Sequence, residues 1–256
     1  MTREAIDPTA RIGPDVELGT GVAVGPFCRF EGRVRVGAGC RFGTGVVVGT
    51  EPMDRRYRGE DTGVQIGPGC VFHEYATVHR PVGEGAVTSI GDGCRVMAYV
   101  HVAHNCRVGS GCTLTNGVQL AGYVEVGDGA NLGGLVGVHQ HCRVGRLAMV
   151  GACSYVSKDI PPFFIAAGNP CRVRGVNRVG LERAGLGGSL PALRQAYRAI
   201  YRCGLNLKQA VERIEREMVP AAETGRRELV ELLGFIGGSQ RGLELRAGAP
   251  GAKQEE

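Results

Sequence analysis

Residues 96–125, VMAYVHVAHNCRVGSGCTLTNGVQLAGYVE, repeat a six-residue pattern that decides the fold. A large aliphatic residue recurs at every sixth position, and a small or β-branched residue follows it four positions later. An amphipathic helix needs apolar spacings of three and four, and a half-buried strand needs a spacing of two, so neither explains a period of six. Short strands separated by tight turns do explain it, and a hexapeptide repeat is a signature of a parallel β-helix.

The same repeat runs in phase from Ile12 to about Pro161. Glycine supplies 43 of the 256 residues and tryptophan is absent, which is typical of a solenoid with a turn every few residues. The sequence therefore predicts an all-β solenoid over residues 1–188. Breaks at residues 49–63 and 81–89 are expected to form loops, and loops on a rigid scaffold commonly carry binding groups. By itself, the charged first break is more typical of a solvated surface loop than of a binding loop.

After Ile160 the hexads stop and apolar residues take helical spacing. We predict a small α-helical domain over residues 189–241, in which Asn206 and Gln209 have the spacing of a capping box and Thr224 caps the last helix. Residues 242–256 lack an apolar pattern and are predicted to form a disordered tail.

Ten cysteines raise the question of metal binding or disulfides. Seven of them occupy the small inward position of the repeat: Cys28, Cys40, Cys70, Cys94, Cys106, Cys112 and Cys142. Because neighbouring hexads carry Val or Ala there and no CxxC motif occurs, we predict buried, reduced, structural side chains.

The composition favours a protein of the cytoplasm. No segment approaches 18 uninterrupted apolar residues, and the N-terminus lacks the apolar core of a signal peptide, so neither a membrane span nor secretion is expected. The net charge of +5 is compatible with an acidic protein partner, and no nucleic-acid partner is expected.

Histidine is the residue type at which chemistry is most readily expected. If three hexads form one coil, residues 18 apart stack vertically, so that His104 lies beside Gly122 on the outside of the solenoid. A histidine near neutral pH can act as a general base, and a glycine N–H close to it could stabilise an oxyanion. On the pattern alone, an exposed histidine is more often an inert surface residue.

Six segments give the chain its resemblance to a known family: HVAHNCRVG, TNGVQLAG, GVHQHC, DIPPFFIAAGNP, GVNRVGLERAG and AYRAIYRCG. They resemble the acyl-carrier-protein-dependent UDP-N-acetylglucosamine 3-O-acyltransferases of lipid A biosynthesis. The resemblance implies a left-handed parallel β-helix that forms a homotrimer, with active sites between neighbouring subunits. It also implies acyl carrier protein and a UDP-sugar as partners, with the acyl group delivered on the carrier's phosphopantetheine and no further cofactor or metal.

The resemblance further implies individual roles. His104 would be the general base, the Gly122 amide the oxyanion donor, and Asn105 the residue that orients the base. The positions matching substrate contacts are Asp54, Arg56, His79, His101, His139, Gln140, Asn177 and Arg183. Ala152 matches the position that sets acyl-chain length.

Several residues depart from the family pattern. Asn105 stands where the family often has Asp, and Tyr123 stands where it has a cleft histidine. Val179 replaces an acidic substrate contact, Ala184 replaces the second of two arginines, and Ala152 replaces a glycine. The extra methyl of Ala152 favours a somewhat shorter acyl chain.

Three alternatives remain open from the sequence. An N-acyltransferase acting on a 3-amino sugar nucleotide would explain Asn105 and Tyr123, because an amine makes different demands on the base. A non-catalytic β-helix that binds nucleotide or carrier protein would explain Asn105, Val179 and Ala184. A zinc enzyme of the γ-class carbonic anhydrase kind is the weakest alternative, because His101 and His104 lack that family's ligand spacing.

Overall fold

A computed structural model of the chain describes residues 5–245, which form a left-handed parallel β-helix followed by a group of α-helices. Neighbouring coils pair in parallel at an offset of 18 residues, so that Arg95 lies opposite Thr113 and Val96 opposite Leu114. This pairing confirms the predicted fold class and the stacking of residues one coil apart.

The β-helix is a prism with three faces. The first face contains β1 (Ala5–Ile6), β4 (Ala23–Val24), β7 (Arg41–Phe42), β10 (Val71–Phe72), β13 (Arg95–Val96), β16 (Thr113–Leu114), β19 (Asn131–Leu132), β22 (Met149–Val150), β24 (Phe164–Ala167) and the antiparallel β25 (Arg172–Val176). The second contains β2 (Arg11–Ile12), β5 (Arg29–Phe30), β8 (Val47–Thr50), β11 (Thr77–His79), β14 (His101–Val102), β17 (Gln119–Leu120), β20 (Gly137–Val138) and β23 (Tyr155–Val156). The third contains β3 (Val16–Leu18), β6 (Arg33–Val36), β9 (Gly63–Ile66), β12 (Val87–Ile90), β15 (Arg107–Val108), β18 (Glu125–Val126) and β21 (Arg143–Val144).

The large residue of each hexad points into the prism. Val96, Val102, Leu114 and Leu120 are completely buried, and burying one such side chain contributes about 1.5–3 kcal/mol. The seven cysteines of the repeat are buried and free, as predicted. Their thiols donate weak hydrogen bonds to carbonyls of the next coil; the Cys106 Sγ, for example, lies 3.1 Å from the Ala121 oxygen.

Both predicted loops are shorter than their predicted bounds. The first spans residues 51–62 between β8 and β9, and the second spans 80–86 between β11 and β12. The predicted breaks were wrong at their edges, because the strands beside them are longer than the usual two residues. Four residues of β9 pair with β6 on one side and with β12 on the other.

The helical region contains α1 (Arg178–Arg183), α2 (Leu190–Tyr201), α3 (Leu207–Arg213), α4 (Val219–Ala221) and α5 (Arg226–Gly237), with a 3₁₀ turn at Gly187–Ser189 and a π-helical segment at Ile214–Met218. The predicted capping box is confirmed, because Asn206 and Gln209 exchange hydrogen bonds between side chain and backbone. The predicted cap at Thr224 was wrong. Gly225 caps α5 at φ 83°, a conformation that favours glycine, and the Thr224 hydroxyl donates to the Gly188 carbonyl.

The predicted boundary at residue 188 placed the end of the β-helix too late. An antiparallel pair, β24 and β25, closes the prism, and α1 begins at once after Asn177, whose side chain accepts a hydrogen bond from the Gly180 N–H. Phe164 begins β24 and Phe163 directly precedes it, and both side chains pack in the helical core.

The predicted tail begins too early. Leu243 is buried, pairs with Asp159 at the end of the prism, and joins the helical core together with Leu245. Residues 246–256 of the predicted tail, and residues 1–4 of the predicted β-helix domain, lie outside the described residues. Within the described range no helix combines the length and apolarity needed to span a bilayer.

Candidate active site

His104 and Gly122 are vertical neighbours on one corner of the prism. A Cβ added to Gly122 would overlap the His104 imidazole, so any larger residue at this position would displace the ring. The ring lies outside the prism, as predicted, but only 12% of the side chain is exposed because the first loop covers it. The Gly122 N–H donates no hydrogen bond within the described part of the chain, which leaves it available to a ligand.

A cleft of about 520 Å³ opens on this corner. Of the predicted site residues, it is lined by His79, His101, His104, Gly122, His139 and Gln140. The remaining wall includes residues that the sequence analysis did not identify, namely Met53, Gln119, Gly137 and Tyr155. The last three stack above His101 on consecutive coils, each 18 residues after the one before. Their positions could therefore have been predicted from the sequence by the same 18-residue offset.

The Asn105 side chain fixes the tautomer of His104. Its Nδ2–H donates to the Val82 carbonyl and its Oδ1 accepts from the Val82 N–H, both at 3.0 Å, which sets the orientation of the amide. The same Oδ1 lies 2.9 Å from His104 Nδ1. Because a carbonyl oxygen only accepts, Nδ1 must carry the hydrogen, and Nε2 presents its lone pair to the cleft.

Asp54 and Arg56 in the first loop close over the imidazole. The Arg56 guanidinium binds the Asp54 carboxylate through two nitrogens at 2.7–3.2 Å, and Asp54 Oδ2 lies 3.7 Å from His104 Nε2. Hydrogen bonds from the Arg56 side chain and backbone hold the pKa of Asp54 well below its usual range. The first loop therefore presents a carboxylate beside His104, and it does more than form a solvated surface segment.

His101 and His79 form a second imidazole pair in the cleft. Their rings meet edge to face with centroids 5.1 Å apart, and His101 Nδ1 lies 2.8 Å from the Thr77 hydroxyl. Burial, together with the neighbouring His79 and His104, lowers the pKa of His101 to about 4. His101 is therefore neutral at physiological pH, and it can donate or accept a hydrogen bond without adding charge.

The metal alternative concerns how the histidine, cysteine and carboxylate side chains are placed. Within residues 5–245, no three His, Cys, Asp or Glu side chains are grouped so that they could hold a metal ion. His79 Nδ1 is instead occupied as a donor to the Glu51 carbonyl at 2.7 Å.

Comparison with known proteins identifies the family of this chain. Residues 159–244 match the family model described as UDP N-acetylglucosamine O-acyltransferase, domain 2, and residues 88–122 match the bacterial transferase hexapeptide model. The structure of a UDP-N-acetylglucosamine acyltransferase from Bacteroides fragilis 9343 is 33% identical over 93% of this chain and 99% of its own, with a TM-score of 0.83. The Francisella novicida enzyme of the same name is 31% identical over 95% of each chain, also with a TM-score of 0.83.

This chain belongs to the UDP-N-acetylglucosamine acyltransferase family. The resemblance deduced from the six sequence segments is thereby confirmed. A curated relative from Burkholderia orbicola (strain MC0-3), an acyl-[acyl-carrier-protein]–UDP-N-acetylglucosamine O-acyltransferase, is 41% identical over 145 residues. That match spans 56% of this chain and 55% of the relative, so the chain spans about half the length of the curated relatives it matches.

Three positions predicted from the acyltransferase family lie away from the cleft of a single chain. Asn177 uses its amide to cap α1 and to donate to the Leu147 carbonyl at 2.8 Å. Arg183 ends α1, and Ala152 lies exposed on a different corner, in the column of Gly134. Their predicted contacts with substrate stay predictions.

Proposed function

We propose that this protein transfers a (3-hydroxy)acyl chain from the thioester of acyl carrier protein to the glucosamine 3-hydroxyl of UDP-N-acetylglucosamine, the first step of lipid A biosynthesis. The observation that carries the proposal is the placement of His104 directly against Gly122 in an open cleft. Membership of the acyltransferase family supports the substrate class, since its relatives carry that activity in their names.

The base acts through the nitrogen that faces the cleft. With Nδ1–H held by Asn105, His104 Nε2 accepts the proton of the sugar 3-hydroxyl as the oxygen attacks the thioester carbonyl carbon. A new C–O bond forms and the carbonyl π electrons move onto the oxygen. General-base catalysis of this kind contributes about 10²–10⁴ in rate.

The tetrahedral oxyanion is stabilised by the Gly122 N–H, which has no other acceptor in the described chain. Collapse of the intermediate breaks the C–S bond, and the proton on His104 Nε2 passes to the departing phosphopantetheine thiolate. The base returns to its neutral form. No metal or further cofactor is required, because a thioester is already activated and one imidazole moves the proton in both directions.

Asp54 is the group that positions the sugar in this proposal. Its carboxylate lies close enough to His104 Nε2 to accept a hydrogen bond from a hydroxyl bound there. Arg56, His79, His101, His139 and Gln140 complete the substrate wall, and Asn177 with Arg183 binds the nucleotide.

The active form in this proposal is a homotrimer in the cytoplasm. Ala152 and His104 lie on different corners of the prism. We therefore place the acyl chain in a cleft between two copies, where the His104 corner of one copy meets the Ala152 corner of its neighbour. Acyl carrier protein is the acyl donor and protein partner.

One observation favours a second candidate, the N-acylation of a 3-amino sugar nucleotide. Asn105 is neutral where the family often has a carboxylate, so nothing at His104 Nδ1 adds negative charge to stabilise an imidazolium. An amine is a stronger nucleophile than a hydroxyl and needs less assistance from the base.

Purified protein assayed against UDP-N-acetylglucosamine and its 3-amino analogue, each with a panel of acylated carrier proteins, tests the proposal. Ester formation on the hydroxyl sugar is expected to be the faster reaction. A preference for the amine would favour the second candidate, and no transfer with any donor would overturn both.

A further inference from the structure

Tyr123 has contacts that connect the first loop to the base. It lies on the same corner as His104 and Gly122, at φ 62°, and its N–H donates to the His104 carbonyl at 3.0 Å. This backbone bond belongs to the coil ladder, so the residue is anchored to the rigid prism. Its side chain is available for other contacts.

The Tyr123 ring packs between two imidazoles. It meets His104 edge to face, with centroids 5.3 Å apart and planes at 88°, and it stacks on His141 with centroids 4.6 Å apart and planes at 14°. Both geometries are the ones that aromatic pairs prefer. The ring therefore forms a wall that limits rotation of the His104 imidazole.

The Tyr123 hydroxyl reaches the loop. It accepts a hydrogen bond from Arg56 Nη2 at 3.3 Å, and the Arg56 guanidinium carbon lies 5.8 Å from the ring centroid. Arg56 in turn binds Asp54, whose carboxylate lies beside His104 Nε2. These contacts close a cycle of four side chains: His104, Asp54, Arg56 and Tyr123.

We infer that Tyr123 is a positioning residue, which holds Arg56, and through it Asp54, over the base, and thereby sets the binding site for the sugar. Its hydroxyl is the contact that ties Arg56 to the prism, and its ring supports the imidazole. The expected effect of Tyr123 on the KM for the sugar nucleotide rests on the proposed acyl transfer. Its expected effect on the opening of the first loop rests on the contacts alone.

The structural consequence is measured without any substrate. The first loop carries three exposed arginines, Arg55, Arg56 and Arg58, at which trypsin can cut once the loop opens. Tyr123→Phe keeps the ring and removes the hydroxyl, so the loop should open more often. Because cleavage of a transiently open segment follows its opening equilibrium, tryptic cutting within residues 51–62 should accelerate about three- to fivefold.

Tyr75→Phe is the matched control. Tyr75 occupies a corner at φ 58° and stacks on Tyr99 with centroids 5.3 Å apart, and its hydroxyl makes no hydrogen bond within the described residues. Its loop cleavage should equal that of the wild type. Equal cleavage rates for Tyr123→Phe, Tyr75→Phe and the wild type would overturn the positioning role.

The kinetic consequence separates this inference from the proposed function. In Tyr123→Phe the KM for the sugar nucleotide should rise about three- to tenfold with kcat nearly unchanged, since a ground-state binding contact is loosened while the base and the oxyanion donor remain. A fall in kcat at constant KM would contradict this assignment. A wild-type protein that transfers no acyl group, but whose loop is released by Tyr123→Phe, would refute the acyltransferase and support the positioning role.

Discussion

The side-chain amide of Asn105 and the backbone of Val82 exchange two hydrogen bonds, one in each direction, at 3.0 Å. The bond donated by Nδ2 requires an amide, because a carboxylate in that position would face the Val82 carbonyl with no hydrogen to give. Asn105 therefore does two things that an aspartate could not combine. It fixes the second loop, and it presents an oxygen to His104 Nδ1 without adding charge.

Asn105→Asp tests this division of roles. The acid limb of the pH–rate profile should shift to higher pH by about one unit, because a carboxylate beside Nδ1 favours the protonated imidazole, which cannot act as a base. The variant should also lose about 1–3 kcal/mol of unfolding free energy from the unsatisfied Val82 carbonyl. A pH profile and a denaturation curve identical to the wild type would contradict both statements.

Gly122→Ala should lower kcat by at least about 100-fold. The added methyl would overlap the His104 imidazole and displace the ring from its place beside the Gly122 N–H. Gly134→Ala is the matched control. Gly134 has the same place in its hexad as Gly122 but lies on another corner, so this variant measures how an added methyl at such a position affects stability. A Cβ at Gly134 would come no closer than 3.4 Å to another atom, so the melting temperature of that variant should be unchanged. Wild-type turnover in Gly122→Ala would show that the imidazole does not need this glycine.

The stability of the protein should fall as the pH drops from 6.5 towards 4. The pKa of His101 is lowered to about 4 by burial, so in that interval the unfolded chain binds a proton that the folded chain does not. Allowing for the partial exposure of the ring, the loss should be about 1–2 kcal/mol. Asp54 contributes little in this interval, since most of its stabilising effect is lost only as the pH falls below its ordinary pKa of 3.8.

Denaturant unfolding at a series of pH values measures this effect. His101→Gln should flatten the curve between pH 6.5 and 4 while leaving the decline at lower pH. If the unfolding free energy of that variant falls as steeply between pH 6.5 and 4 as in the wild type, a group other than His101 causes the decline.

Ala152→Gly should shift the acyl preference towards longer chains, because removing the methyl lengthens the groove that the resemblance assigns to this position. The measurement is relative turnover across carrier proteins loaded with chains of different length. An unchanged chain-length profile would place residue 152 outside the groove.

The fold could be predicted from the sequence because the repeat imposes it. A six-residue period in phase over many coils fixes the inward positions, the burial of Cys94 and Cys106, and the stacking of His104 on Gly122. Each of these depends on spacing along the chain, which the sequence contains.

The loops could not be predicted in the same way. The bonds between Val82 and Asn105 join residues 23 apart, and the bond between Arg56 and Tyr123 joins residues 67 apart, with no periodicity to relate them. The sequence also gave no reason to expect Thr224 to donate to Gly188, because that bond depends on how α5 packs against the 3₁₀ turn. Spacing alone therefore placed only His104 beside Gly122. The other candidate site residues, on the prism as well as on the loops, were predicted from the resemblance.

His104→Ala is the most direct test of the proposed mechanism. The variant should keep the circular dichroism spectrum and oligomeric state of the wild type, because the ring lies outside the prism core, while kcat/KM for acyl transfer to UDP-N-acetylglucosamine falls by about 10³ or more. Retained turnover in a correctly folded His104→Ala protein would contradict the account, and would leave the β-helix as a binding protein or as an enzyme with a different base.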